Sequence, residues 1–173
     1  MKSACRMTLW KSMWRNVPRN NSFPWKGKLM EITMKKYMPV DYDFVYQLKK
    51  VCYYPYVSEI WGWDEEKQTD YFNAFMENAK ENMNIIYSRG KRIGMINWSV
   101  DGDTCELENI CILPEYRNQG IGSRLLAETI ESGGFSKVRL QAFKKNPVIH
   151  LYHRLGFSIV EETENHYRML LEK

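Results

Sequence analysis

The sequence predicts one α/β (α+β) domain whose strands and helices follow the order β-α-α-β-β-β-α-β-α-β-β. Three observations carry this prediction. The chain has 173 residues, 44% of them hydrophobic, which suffices for one domain with its own core. Apolar residues alternate in some segments and recur at helical spacing in others, with no internal repeat. The turn Asp101-Gly102-Asp103 joins two strand-like segments as a hairpin.

Regular patterning begins at Met30 and continues to the C-terminus, so residues 30–173 are expected to form the domain. Strands are predicted over residues 30–37, 84–88, 92–100, 104–113, 137–143, 157–161 and 166–171. Helices are predicted over residues 39–53, 64–80, 120–132 and 147–155. The aromatic residues that recur along the first two helices are typical of a core-facing stripe.

Residues 1–29 differ in composition from the rest of the chain. Seven of the 25 Lys and Arg residues precede Met30, whereas all 21 acidic residues follow it. The segment lacks periodicity and is expected to be a basic, disordered extension or an upstream start. A targeting arm or a nucleic-acid-binding arm using Trp10, Trp14 and Trp25 is the alternative. Without a basic face, the domain itself is not expected to bind nucleic acid.

Four cysteines are widely spaced and form no CxxC pair; they are Cys5, Cys52, Cys105 and Cys111. This usage indicates a reduced, intracellular protein with no metal site. No segment approaches the ~18 apolar residues that span a bilayer, and the first residues lack the continuous apolar run that is typical of a secretory signal. We therefore expect a cytoplasmic protein without membrane partners, and the sequence leaves a homodimer open.

One glycine-containing segment carries the chemical information: Arg117-Asn118-Gln119-Gly120-Ile121-Gly122. It follows a predicted strand and opens an amphipathic helix. Free N–H groups at such a helix start attract phosphate, because the helix dipole adds partial positive charge there. A diphosphate is the expected ligand, although Gly-x-Gly alone is equally consistent with close packing of the helix against its neighbours. The segment lacks the Lys-Ser/Thr of a P-loop, and Leu125 replaces the third glycine of a dinucleotide motif.

A second motif lies downstream, where Asn146-Pro147 opens a helix that ends in Leu151-Tyr152-His153-Arg154-Leu155-Gly156-Phe157. Residues 30–173 resemble the GCN5-related N-acetyltransferase (GNAT) superfamily. Residues 117–122 fit its Arg/Gln-x-x-Gly-x-Gly/Ala motif, and residues 151–157 fit its closing motif. The resemblance implies the GNAT fold, a mixed, mostly antiparallel sheet of six to seven strands with about four helices. Its fourth and fifth strands splay to admit pantetheine.

The resemblance also implies acetyl-CoA as the acyl donor. The main chain of Ile110, Cys111 and Ile112 would pair with the pantetheine amides as an added strand does. The diphosphate would lie on the N–H groups of Arg117, Asn118, Gln119, Gly120, Ile121 and Gly122, with Ser123 in the first helical turn. Asn146 would hold the cofactor arm near the thioester and would also cap its own helix.

Acetyl transfer to an amine requires a neutral amine, an oxyanion donor and a proton for the leaving thiolate. Tyr152 matches the family's tyrosine and is the expected proton donor. A phenol with a pKa of ~10 can supply a proton to the thiolate of CoA, whose thiol has a pKa of ~8.5. A core tyrosine is the alternative. Glu108, and next Glu106, are the expected bases, because both precede the bulge of the cofactor strand and period two places them on one strand face. Exposed carboxylates, or His150 and His153, are the alternatives.

The resemblance places the acceptor between the first two helices. The connecting residues 53–66 are rich in aromatic side chains and contain four carboxylates, a combination that suits a cationic amine. Tyr56, Trp61 and Trp63 are the predicted substrate contacts; a lid or a core anchor is the alternative for the tryptophans. The substrate is expected to be a small-molecule or protein amine.

The leading prediction is an acetyl-CoA-dependent N-acetyltransferase, an acyltransferase that moves the acetyl group directly to a primary amine. A non-catalytic acyl-CoA-binding or regulatory module is the alternative, although Tyr152 and the acidic strand argue against it. A third hypothesis, nucleic-acid binding through residues 1–29, predicts strongly salt-dependent affinity that is lost on truncation to Met30.

Overall fold

The computed structural model describes residues 31–173. The extension predicted for residues 1–29 lies outside the described residues, so the domain boundary at Met30 stays a prediction. Over residues 31–173, no helix is long and apolar enough to cross a bilayer. In the same part of the chain, no group of three or more His, Cys, Asp and Glu side chains is placed to hold a metal ion.

The described chain contains strands and helices in the predicted order. The strands are β1 Ile32–Lys36, β2 Met83–Ser88, β3 Lys91–Asp101, β4 Thr104–Ile112, β5 Lys137–Phe143, β6 Ser158–Glu162 and β7 His166–Glu172. The helices are α1 Tyr42–Ile60, α2 Glu65–Ala79, α3 Ile121–Ser132 and α4 Ile149–Arg154, and short 3-10 turns cover Pro39–Asp41 and Pro114–Tyr116. This order confirms the predicted fold class.

Local sequence accounts for several element boundaries. Asp64 caps α2, because its side chain accepts a hydrogen bond from the N–H of Lys67 at 3.1 Å, and carboxylates in the first turn complement the helix dipole. Gly102, at φ +61°, makes the tight turn from β3 to β4 without the strain that a side chain would add.

Helix α1 is longer than predicted. The sequence interpretation ended it at Tyr53, two residues before Pro55; proline removes a helical hydrogen bond and disfavours a helical residue before it. That boundary was wrong: the helix continues through Pro55 to Ile60. Leu48 before the proline and Val57 after it are both buried. Packing of this apolar face therefore outweighs the local penalty.

All seven strands belong to one sheet, in the order β1-β2-β3-β4-β5-β7-β6. Every neighbouring pair is antiparallel except β4 and β5. The parallel β4/β5 ladder stops at the pair Leu107↔Leu140. Beyond it, β4 pairs with β3 up to Ile112 and β5 pairs with β7 up to Phe143. The two strands therefore splay, as predicted.

Two apolar clusters cover opposite faces of the sheet. The alternation along β2 separates them, since Ile85 packs with α1 and α2 whereas Ile86 packs with α3 and α4. Cys111 of β4 belongs to the cluster with α1 and α2, and Tyr152 of α4 belongs to the cluster with α3. The splay between β4 and β5 thus opens in the middle layer, with a pair of helices on each side.

Candidate active site

A β-bulge lies where β4 parts from β5. Asn97 of β3 pairs with Asn109, but the next residue, Trp98, pairs with Leu107, so Glu108 is the extra residue of β4. The carboxylate of Glu108 accepts a hydrogen bond from Nδ2 of the buried Asn97 at 2.5 Å. The bulge therefore holds a carboxylate at the start of the splayed segment.

The two predicted bases have different surroundings. Glu106 forms an ion pair with Arg139 of β5, with 3.2 Å between Oε1 and Nη1, and both side chains are exposed. Glu108 is exposed as well, but it adjoins the segment that has left β5. Leu107, which lies between them, is buried in the cluster against α3 and α4, so Glu106 and Glu108 share the other strand face, and the alternation changes only after Glu108.

The N-terminus of α3 presents a row of free main-chain donors. Within the described chain, the N–H groups of residues 118–123 have no hydrogen-bond acceptor, and the first helical bond runs from Arg124 N to Gly120 O at 3.0 Å. Asn118 and Gly120 adopt left-handed angles, with φ of +58° and +76°. Left-handed residues next to a helix start create concavities lined by N–H groups, which bind phosphate oxygens.

Arg117 differs from the other predicted diphosphate contacts. Its N–H donates to Pro114 O at 3.1 Å, so this group is already engaged. Its Nε donates to Ile112 O at 2.8 Å, and its Nη2 donates to Sγ of Cys52 at 3.0 Å. A hydrogen bond with Cys111, together with the guanidinium, lowers the pKa of Cys52 to about 7. The Arg117 side chain therefore links the end of β4 to α1 through hydrogen bonds.

Helix α4 and the turn before it contain the two remaining predicted contacts. Asn146 caps the turn before α4, because its Oδ1 accepts from Val148 N at 3.0 Å; its Nδ2 has no partner within residues 31–173. Tyr152 is 5% exposed and packs on Phe157, with 5.7 Å between ring centres. Burial, and then the thiol of Cys111 on β4, raise the pKa of Tyr152. Tyr152 therefore lies beside the splayed strand.

A polar group on α1 was missed by the sequence interpretation. The Tyr53 hydroxyl donates to Asn109 Oδ1 at 2.6 Å, and Lys49 Nζ donates to the same oxygen at 3.1 Å. Burial raises the pKa of Tyr53 and lowers the pKa of Lys49. The four-residue spacing on α1 places Lys49 and Tyr53 on one helix face, but no local pattern connects them to Asn109 of β4.

The three predicted acceptor contacts fall in two places. Tyr56 and Trp61 pack near Phe143 at the end of β5, with 5.1 and 6.2 Å between ring centres. Trp63 lies in a cleft of about 190 Å³ between α1 and α2, where its Nε1 donates to Glu65 at 2.6 Å. Trp61 is 61% exposed, which favours the lid over the core anchor for this residue.

Cavity size alone does not identify the site. A larger cavity of about 330 Å³ lies between β1 and α3, with Ile32, Met34 and Leu125 in its wall. It contains none of the predicted site residues. The smaller α1/α2 cleft includes Lys49 and Tyr53, which contact β4 next to the splayed segment.

The sequence profile of the Acetyltransferase (GNAT) family matches residues 42–157, more than half of the chain. The protein belongs to this family. An uncharacterized N-acetyltransferase of Bacillus subtilis (strain 168), YjcF, is 27% identical over 92 residues, 51% of this chain and 64% of the relative. The uncharacterized protein YyaT of the same organism is 26% identical over 98 residues, 55% of this chain and 64% of the relative. The matches thus span somewhat under two thirds of these relatives.

Solved structures share the fold. PaiA N-acetyltransferase from Thermoplasma acidophilum, in complex with coenzyme A, has a TM-score of 0.66 at 19% identity and covers 83% of this chain and 100% of that chain. The ribosomal-protein-S18-alanine N-acetyltransferase from Escherichia coli has a TM-score of 0.61 at 22% identity, with 82% and 94% covered. The likeness confirms the GNAT fold with its splayed β4 and β5.

Proposed function

We propose that this protein is an acetyl-CoA-dependent N-acetyltransferase that moves an acetyl group directly from the thioester to a primary amine. The observation that carries the proposal is the splay of β4 from β5 beside the free N–H groups of residues 118–123. A splayed strand edge suits the pantetheine amides, and the N–H row suits a diphosphate. Family membership and the CoA-bound structure of the same fold support this assignment.

The donor substrate would be held mainly by main-chain groups. Ile110, Cys111 and Ile112 would offer their strand edge to pantetheine, although the Ile112 carbonyl already accepts a bond from Arg117. The diphosphate would rest on residues 118–123, where donors converge at the start of α3. Asn146 would contribute its Nδ2 to the cofactor arm while its Oδ1 caps the turn.

Tyr152 would assist departure of the thiol. Transfer joins the amine nitrogen to the carbonyl carbon, breaks the C–S bond, and takes one proton from the amine while the sulfur gains one. Because burial raises the pKa of Tyr152, its hydroxyl stays protonated at neutral pH. The same shift opposes full proton transfer to a thiolate whose conjugate acid has a pKa of ~8.5. We therefore expect Tyr152 to stabilise the leaving sulfur chiefly through a hydrogen bond.

Glu108 is the proposed base, acting on the amine directly or through a water molecule. Its place at the bulge puts it beside the segment that would carry pantetheine. Glu106 is the second candidate, since its carboxylate is shared with Arg139. A main-chain N–H near Cys111 would polarise the thioester carbonyl.

Thiol release from acetyl-CoA, measured with the intact protein across a panel of amines and peptides, tests the proposal. We expect release that depends on the amine, with acetylated product detected by mass spectrometry. Tight acetyl-CoA binding without turnover would favour the non-catalytic acyl-CoA-binding module instead. Absence of acetyl-CoA binding would contradict both. A cytoplasmic location and the absence of metal, membrane and nucleic-acid partners stay predictions.

A further inference from the structure

Lys49 is a half-buried cation beside the proposed reaction centre. Its Nζ donates to Asn109 Oδ1 at 3.1 Å and lies 3.7 Å from the ring centre of Phe75 and 4.7 Å from that of Tyr53. Asn109 directly precedes Ile110, the first residue of the proposed pantetheine strand. The ammonium group therefore lies where the α1/α2 cleft meets the splayed part of β4.

The two lysines of this cleft differ in their partners. Lys50 forms an ion pair with Glu65, with 2.6 Å between Nζ and Oε1. Lys49 has no ion-pair partner among residues 31–173, and the nearby carboxylate of Glu108 is hydrogen-bonded to Asn97. Burial lowers the pKa of Lys49, as expected for a cation without a close anion. One lysine of the cleft is thus directly ion-paired, whereas the other has no contact with a carboxylate of the described residues and feels the charge of Glu108 only through space.

The surroundings of Lys49 leave room for an anionic ligand. An ammonium group has three donors and no acceptor, and Asn109 receives one of these donors. The rings of Phe75 and Tyr53 provide cation–π attraction but no negative charge. Burying a charge is costly unless it is paired, so an incoming carboxylate would gain from this site. The aromatic walls of the same cleft suit an apolar side chain.

We propose that the acceptor amine carries a carboxylate, bound by Lys49, and an apolar side chain that packs in the α1/α2 cleft. An acceptor of the amino-acid class has these three groups. This inference rests on the proposed acetyltransferase function and deepens it. It differs from the cationic acceptor expected from the sequence, because Glu65, a carboxylate of that region, is engaged by Lys50 and Trp63.

Binding of an acetylated product to the CoA-loaded full chain measures the contribution of the carboxylate alone. The product has no ionisable amine, and no acetyl transfer takes place. Isothermal titration calorimetry would compare N-acetylphenylalanine with N-acetylphenylalaninamide, which lacks the negative charge. We expect the carboxylate form to bind about 10-fold or more tightly, as for other partly buried charge pairs. Lys49→Gln should abolish this preference, and Lys49→Arg should keep part of it. Lys80→Gln, an exposed lysine at the end of α2, should behave as the wild type.

Each outcome decides for or against the inference. Equal affinity for the two probes, no binding of either, or an unchanged preference in Lys49→Gln would overturn it. Thermal melts check that both Lys49 variants are folded, and Lys49→Arg tests the charge if Lys49→Gln does not fold. A Lys49-dependent preference without turnover of any amine would retain the carboxylate site and reject the acetyltransferase function. Turnover without a carboxylate preference would retain the acetyltransferase function and reject the carboxylate site.

Discussion

The two sides of the proposed active site are built from different parts of the chain. On the donor side, residues 110–112 and 118–123 lie close in sequence and offer main-chain groups. On the acceptor side, Lys49 and Tyr53 of α1 meet Asn109 of β4 through their side chains. A main-chain site depends on local backbone conformation, whereas a side-chain site depends on which elements pack together. The donor side is therefore much easier to identify from sequence.

Tyr152 lies in the same apolar cluster as Ile110 and Ile112 of the splayed strand, and its substitution should have the largest effect. Tyr152→Phe removes the hydroxyl proposed to stabilise the leaving sulfur and should lower kcat roughly 100-fold or more, with little change in CoA affinity. Steady-state kinetics and CoA titration measure the two quantities separately. Tyr87→Phe, on β2 away from the splay, is the matched control. An unaltered kcat in Tyr152→Phe would reduce Tyr152 to a packing residue.

The two acidic residues of β4 should differ in their contribution to the acceptor side. Glu108→Gln should lower kcat roughly 10- to 100-fold if Glu108 is the base. Glu106→Gln should change kcat by less than about 3-fold, because exposed ion pairs contribute little. Parallel kinetic measurements on both variants decide the order. A larger loss in Glu106→Gln would exchange the two roles.

Two glycines test whether backbone conformation defines the donor side. Gly120→Ala places a side chain at φ +76°, which costs roughly 1–2 kcal/mol and should weaken CoA binding about 5- to 30-fold. Gly122→Ala should lose less, since its added Cβ would meet the nearest atoms at 3.7 and 3.8 Å, in ordinary contact. CoA titration together with thermal melts compares the variants. Equal losses would show that bulk, and not backbone conformation, limits this site.

Cys52 lies near the border of the two sides and should show the smallest effect, a change in thiol reactivity. Its pKa of about 7 means that alkylation by iodoacetamide should rise with pH and level off above about pH 8, because the thiolate is the reactive form. Arg117→Gln should move this profile to higher pH. Cys105, whose pKa burial raises to about 12, is the internal control. A Cys52 rate that keeps rising beyond pH 9 would contradict the lowered pKa.

The sequence predicted the element order and the turn at Gly102 from local periodicity and a short turn motif, whereas the splayed strands were expected from the resemblance to the GNAT superfamily. The end of α1 was wrong, because the burial of Val57 outweighs the effect of Pro55. A bulge of the cofactor strand was expected after Glu108, but its position at Glu108 has no local signal, since it depends on the register between β3 and β4. The Lys49 environment was missed for the same reason, because its partners come from three elements.

The most direct test of the account is an amide NMR titration of the full chain with CoA and, separately, with pantetheine, which lacks the diphosphate. We predict that CoA shifts the amide signals of residues 110–112 and of residues 118–123, whereas pantetheine shifts only residues 110–112. Signals from residues 118–123 that do not move on addition of saturating CoA would contradict a diphosphate site at the start of α3, and with it the donor side proposed for this protein.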